Sequence, residues 1–361
     1  MAFTYLDFTA DVSENNFLKV AARPMLAVIF ANAGRDGQVE DSQGHSTLRY
    51  ARSLCHFGRA RRNLEKHLAA HPPWGKLFCM KRTLVVSLML LSCLSVGFSQ
   101  EWAKQNLEKS PRHSEWVQLK HDNRTVQAFV VYPETKEKAP VIIVIHEIFG
   151  LSDWARSVAD QLASHGYIAV APDLLSGMGP KGGGSSEFAS TQDAVKAVSG
   201  LNPDQVTADL NAAADYAKKI PAGNGKIAVA GFCWGGTQSF RFATNRKDLS
   251  AAFVFYGTGP SDVSAITAPV YGFYAGEDAR VGATIPATEQ AMKAAGKKFE
   301  PVTYPGAGHG FMRAGEDPAA EAAAKETGTD PDTKKKRDSA VANQKARTEA
   351  WARWLSILKT I

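Results

Sequence analysis

The chain has 361 residues, 44 % of them hydrophobic, with four cysteines and a formal charge of +6. The positive excess lies upstream: residues 1–79 carry 10 Lys or Arg against 7 Asp or Glu, and Lys81 and Arg82 add two more. The remainder is close to neutral, so the basic balance is no argument for a nucleic-acid partner, and none is expected.

Residues 1–79 show no sustained hydrophobic period and no motif. They are expected to be an upstream translation artefact or an unstructured extension. At Met80-Lys81-Arg82 a positive start leads into the apolar run Thr83-Leu84-Val85-Val86-Ser87-Leu88-Met89-Leu90-Leu91-Ser92, with small residues at Gly97 and Ser99. This is the layout of a secretory signal peptide over 80–99, cut after Ser99, so the product is expected to be exported, periplasmic or secreted. The box Leu90-Leu91-Ser92-Cys93 leaves lipoprotein anchoring through Cys93 as an alternative. The apolar run is too short for a stable membrane span. After the cut, Cys233 is the one thiol left in a single domain of residues 100–361, and a lone cysteine with a histidine elsewhere reads as a candidate nucleophile.

Trp116–Lys120 and Thr125–Tyr132 alternate as a hairpin turning at Asp122-Asn123. Apolar runs at Val141–Ile145, Tyr167–Ala171, Ile227–Ala230, Ala251–Phe255, Val270–Ala275 and Phe299–Tyr304 read as strands. Helical patterns lie between them near 153–165, 204–219, 235–245 and 284–296. The alternation predicts an α/β fold: a mostly parallel, twisted sheet with helices on both faces. The glycine-rich stretch Gly177–Ser186 is either a substrate lid or a plain flexible loop. Asp317–Arg337 reads as a solvated insertion before a final amphipathic helix at about 338–359. No metal-ligand spacing, P-loop or dinucleotide fingerprint occurs, so neither metal nor cofactor is expected.

The chemistry concentrates in Gly231-Phe232-Cys233-Trp234-Gly235-Gly236, directly after Lys226-Ile227-Ala228-Val229-Ala230. A buried strand, a sharp glycine-lined turn and a helix make the nucleophile elbow of the α/β-hydrolase fold, with a thiol in the place of serine. The helix N-terminus is expected to favour a thiolate. In that fold the order is nucleophile, acid, histidine. His309 is the one histidine after Cys233, in the glycine-rich loop after Phe299–Tyr304. Asp278 follows an apolar strand and is the choice for the acid, with Glu277 as the fallback; Asp248 and Asp262 sit in polar turns. The loop after Val141–Ile145 and the residue after the nucleophile assign the oxyanion hole to the backbone N–H groups of Ile148 and Trp234.

Together, His146-Glu147-Ile148-Phe149-Gly150, Ala171-Pro172-Asp173-Leu174, the Cys233 elbow and Gly306-Ala307-Gly308-His309-Gly310-Phe311 resemble the dienelactone hydrolase family over roughly residues 115–315. The resemblance implies a cofactor-free hydrolase that opens enol-lactones through a thiol ester. It implies Cys233 as nucleophile, His309 as base, Asp278 as orienting acid, and Glu147 as acceptor of the thiol proton when substrate binds. Arg313 resembles a family arginine that binds the substrate carboxylate. The family's second such arginine has no counterpart between Leu174 and Ala208. The expected partner is a small lactone or ester, and the expected state a monomer. The alternatives are a general carboxylesterase or thioesterase of the same fold, or a non-catalytic binding protein on a hydrolase scaffold.

Overall fold

The computed structural model describes residues 101–361; the signal-peptide and upstream-extension expectations fall on residues outside that range. A short helix, α1 (Glu101–Lys109), precedes the hairpin β1 (Ser114–His121) and β2 (Arg124–Val131). His121 pairs with Arg124, so the turn is the two-residue Asp122-Asn123, and Asp122 takes the left-handed conformation such turns require. The chain continues through β3 (Ala139–Ile145), α2 (Asp153–Ser164), β4 (Ile168–Pro172), α3 (Thr191–Ser199), α4 (Pro203–Lys219) and β5 (Gly223–Phe232). It closes with α5 (Trp234–Asn245), β6 (Ala251–Phe255), β7 (Val270–Ala275), α6 (Ala279–Gly282), α7 (Ile285–Ala294), β8 (Phe299–Tyr304), α8 (Pro318–Ala324) and α9 (Pro331–Leu358).

The eight strands form one sheet in the order β1-β2-β4-β3-β5-β6-β7-β8. The pairs β1/β2 and β2/β4 are antiparallel and every other pair is parallel. Successive residues of a strand face opposite sides. Ile142 and Val144 therefore enter one core with Trp154, Leu162, Trp351 and Trp354. Val141, Ile143 and Ile145 enter the other with Val206, Leu210, Phe240 and Met292. Helices α2 and α9 thus cover one face, and α4, α5 and α7 the other, which is why the central strands are apolar throughout. Among the described residues no helix is long and apolar enough to cross a membrane.

Two expectations change. Asp317–Arg337 is not a plain insertion: it holds α8 and the first turns of α9. The Asp330 side chain accepts from the Thr333 N–H at 3.0 Å and Pro331 stands at the first position, a paired start signal that carries the final helix seven residues further upstream. Lys334, Lys335 and Lys336 are solvent-exposed, but on a helix. The Gly177–Ser186 stretch is hydrogen-bonded rather than loose. Asp173 accepts from the Ser185 N–H (2.7 Å) and hydroxyl (2.6 Å), and Glu187 from the N–H groups of Lys181 (2.9 Å) and Gly183 (3.0 Å).

Candidate active site

Ligand sites in open parallel sheets lie outside the carboxyl ends of the strands. Here β3, β5, β6, β7 and β8 deliver Glu147, Cys233, Tyr256, Asp278 and His309 just past those ends. The register Ile145↔Gly231, Phe232↔Phe255, Phe255↔Phe273 and Ala275↔Tyr304 levels these ends, so residues 162 positions apart in sequence share one rim.

Cys233 caps the N-terminus of α5 with φ 56° and ψ −117°. A side chain in this region costs on the order of 1–3 kcal/mol and persists where surrounding contacts fix it. The fixing contacts are the Cys233 N–H to the Phe255 carbonyl (3.0 Å) and the Thr237 N–H to the Cys233 carbonyl (3.2 Å). Two glycines make the turn possible. A Cβ on Gly231 would lie 1.9 Å from the Gly235 oxygen, and one on Gly235 would lie 2.3 Å from the His146 oxygen. The helix backbone consequently rests directly on β3 and β5.

Asp278 is the carboxylate that turns inward. Its Oδ2 lies 2.5 Å from His309 Nδ1, and its Oδ1 accepts from the Val281 N–H at 3.2 Å, which caps α6. Glu277 is exposed, and its N–H donates to the Ala307 carbonyl at 2.9 Å, so the fallback does not apply. That bond and the Gly308 N–H to Asn343 Oδ1 (2.7 Å) hold the histidine loop between β7 and α9. The His309 side chain stays 28 % exposed.

Glu147 is 2 % exposed. Its Oε2 sits 2.8 Å from Arg313 Nε, and Tyr256 donates its hydroxyl to Oε1 at 3.3 Å. Burial pushes the Glu147 carboxyl up from its ordinary range, against the pull of Arg313 and His309. The Cys233 thiol is also pushed up, first by burial and then by the Glu147 charge; the Trp234 N–H, Arg313 and Arg280 oppose this without overcoming it. Desolvation and the neighbouring carboxylate thus work against the thiolate that the helix N-terminus favours. Arg313 lies at the site, but its Nε faces Glu147 and its guanidinium carbon stands 5.0 Å above the Phe149 ring.

The N–H groups of Ile148 and Trp234 have no acceptor among the described residues beyond the Trp234 contact with the thiol. Both residues are partly exposed. Tyr256 and Asn343 were not legible as site residues. Tyr256 is 1 % exposed with φ 41°, and its ring meets His309 edge-on at 4.9 Å. The available signal was its position, one residue past an apolar strand on the rim side. Beyond Phe149 lies a cavity of about 670 Å³ lined by Trp116, Leu151, Arg156, Asp173, Ser185 and Phe188 among others, with Cys233 and His309 outside it. No grouping of three potential metal ligands occurs among the described residues.

The profile of the dienelactone hydrolase family matches residues 126–361. A Salmonella typhi protein named for carboxymethylenebutenolidase activity is 33 % identical over 199 residues, covering 51 % of this chain and 72 % of the relative. The carboxymethylenebutenolidase of Pseudomonas putida is 30 % identical over 202 residues, covering 54 % and 83 %. A crystal structure from Klebsiella pneumoniae, assigned to the dienelactone hydrolases, superposes with a TM-score of 0.55 at 25 % identity over 69 % of this chain and 99 % of its own. An α/β-hydrolase sheet, a cysteine elbow and a profile match over nearly all the described residues lead to one statement: the chain belongs to the dienelactone hydrolase family and is a hydrolase of the carboxymethylenebutenolidase type.

Proposed function

We propose that this hydrolase opens enol-lactones such as dienelactone, or small esters, through a thiol ester on Cys233. The observation that carries the reading is the His309–Asp278 contact at 2.5 Å on the same sheet rim as a cysteine held at φ 56° on the elbow. Asp278 fixes the imidazole so that the nitrogen away from it faces the reacting groups, and it stabilises the imidazolium. The resting enzyme keeps a neutral thiol. A substrate that draws Arg313 away from Glu147 leaves a buried carboxylate without its counter-charge, and that carboxylate takes the thiol proton. The thiolate attacks the carbonyl, the Ile148 and Trp234 N–H groups hold the oxyanion, and the ring C–O bond breaks, the freed ring oxygen taking the proton from Glu147. Water, deprotonated by His309, then releases the acid and restores the thiol.

One observation favours a broader ester or thioester substrate range. Arg313 is already engaged with Glu147, and the chain offers no arginine between Leu174 and Ala208 to share a carboxylate. The deciding experiment compares purified protein on cis-dienelactone and on an uncharged aryl acetate, with Cys233→Ala as control. Dienelactone turnover lost in the control supports the lactonase. Turnover of the aryl ester alone assigns a general esterase. Turnover that survives Cys233→Ala overturns the thiol mechanism.

A further inference from the structure

His146 plays no part in the proton transfers above, yet it is fully buried at the centre of the site. Its Nδ1 lies 2.7 Å from the Glu147 carbonyl oxygen. A carbonyl only accepts, so Nδ1 carries the hydrogen, and the buried Nε2 is left as an unpartnered lone pair. Desolvation lowers the proton affinity of the ring, in keeping with a neutral imidazole, although Asp173 pulls the other way.

The Glu147 carbonyl and the Ile148 N–H belong to one peptide group. That group is planar and trans, so its C=O and N–H point in opposite directions. Fixing the oxygen fixes the hydrogen. The oxygen is held twice, by His146 Nδ1 and by the Gly150 N–H at 3.2 Å, so the peptide cannot rotate without breaking both bonds. The imidazole also stacks on the Trp234 ring, with centroids 5.6 Å apart and planes 15° from parallel. The His146 backbone oxygen is the atom that a Cβ on Gly235 would meet at 2.3 Å, so this residue is seated against the first turn of α5. One side chain thus touches the segments that supply both N–H groups.

We propose that His146 is a positioning residue that aims the Ile148 N–H and braces the Trp234 N–H as the two donors of the oxyanion hole. The inference rests on the thiol-hydrolase reading, since it presumes an oxyanion formed at Cys233. It assigns His146 no contact with substrate and no proton transfer. Its effect therefore falls on steps that build charge on a carbonyl oxygen and spares steps that do not.

The test uses full-length protein with His146→Phe, which keeps an aromatic ring on Trp234 but loses the donor. His146→Asn is the second variant; its Nδ2 falls near the place of Nδ1 and restores the donor. Three readouts are compared: aryl acetate turnover, inhibition by an aryl trifluoromethyl ketone, and alkylation of Cys233 by iodoacetamide. The ketone adds the thiol and places an oxyanion in the hole, whereas alkylation displaces iodide and makes none. For His146→Phe, kcat is expected to fall about 10-fold to 100-fold with KM little changed, less than the roughly 10²-fold to 10³-fold lost with an oxyanion donor itself, because the N–H is misdirected rather than removed. Ketone affinity falls by a similar factor, while the alkylation rate stays within about two-fold. His146→Asn recovers most of the loss.

Unchanged kcat in His146→Phe, a parallel fall in alkylation, or no recovery in His146→Asn each overturns the positioning role. A wild-type protein whose ester turnover survives Cys233→Ala overturns the thiol-hydrolase reading and this inference with it. Wild-type activity lost in Cys233→Ala but indifferent to position 146 overturns the inference alone.

Discussion

The proton on Cys233 is held by opposing charges. Burial and Glu147 keep it on; Arg313, Arg280 and the Trp234 N–H favour its loss. Removing the carboxylate charge stabilises the thiolate, so Glu147→Gln should move the midpoint of Cys233 alkylation to lower pH. In the wild type the midpoint should lie above the ordinary thiol range, with the rate rising as pH rises through it. On the proposed cycle, ester turnover in Glu147→Gln should fall, because that cycle passes the thiol proton to this carboxylate. A pH profile of iodoacetamide labelling checks both, and an upward shift in the variant would contradict the charge assignment. Asp278→Asn should leave the fold intact and lower kcat by about 10²-fold to 10⁴-fold, since the amide no longer holds the imidazole in its productive tautomer. At this scale spacing and chain order single out Cys233 and His309, and the structure brings both to one rim of the sheet. The loop after β7 buries Asp278 against His309 and exposes its neighbour Glu277. Tyr256 was not legible, because its neighbours Glu147 and His309 lie far off in the chain.

Elements were legible where periodicity was strong. Strands β6, β7 and β8 coincide with the apolar runs read from the sequence, and the two-residue turn of the leading hairpin falls at Asp122-Asn123. Helix α3 was missed although Ser190 caps it, accepting from the Asp193 N–H at 3.1 Å; its Gly-Ser-rich approach masked the start signal. The early start of α9 was missed because a run of lysines and alanines has little amphipathic pattern, so only the Asp330-Pro331 pair marks it. The elbow itself depends on close approach of backbones. Gly235→Ala places a methyl group against two carbonyl oxygens of β3 and its loop, at 2.3 and 2.5 Å, and neither can yield as a side chain could. We expect a loss of about 1–3 kcal/mol or more in urea unfolding, the usual cost of overpacking, with esterase activity lost as well. Unchanged stability would mean that α5 can lift off the sheet.

At the scale of the whole molecule, one sheet collects residues 147 to 309 on a single rim, and the helices on its two faces hold the strand ends level. Export belongs to this scale as well. We propose that the layout of 80–99 directs secretion, so a host with a secretory pathway should release protein whose intact mass begins at Gln100. A lipid-modified N-terminus at Cys93 would give the anchored form instead, and a cytoplasmic chain still carrying residues 80–99 would contradict both. The sequence by itself determined the α/β rhythm, the elbow and the histidine, because periodicity, glycine spacing and chain order are local or ordinal properties. Only the tertiary structure decided the partial burial of the thiol, the Glu147–Arg313 pair and the placement of His146 behind the Glu147–Ile148 peptide. Those depend on distances and desolvation between segments that the chain separates widely, and strand register and buried packing, rather than residue type, set them.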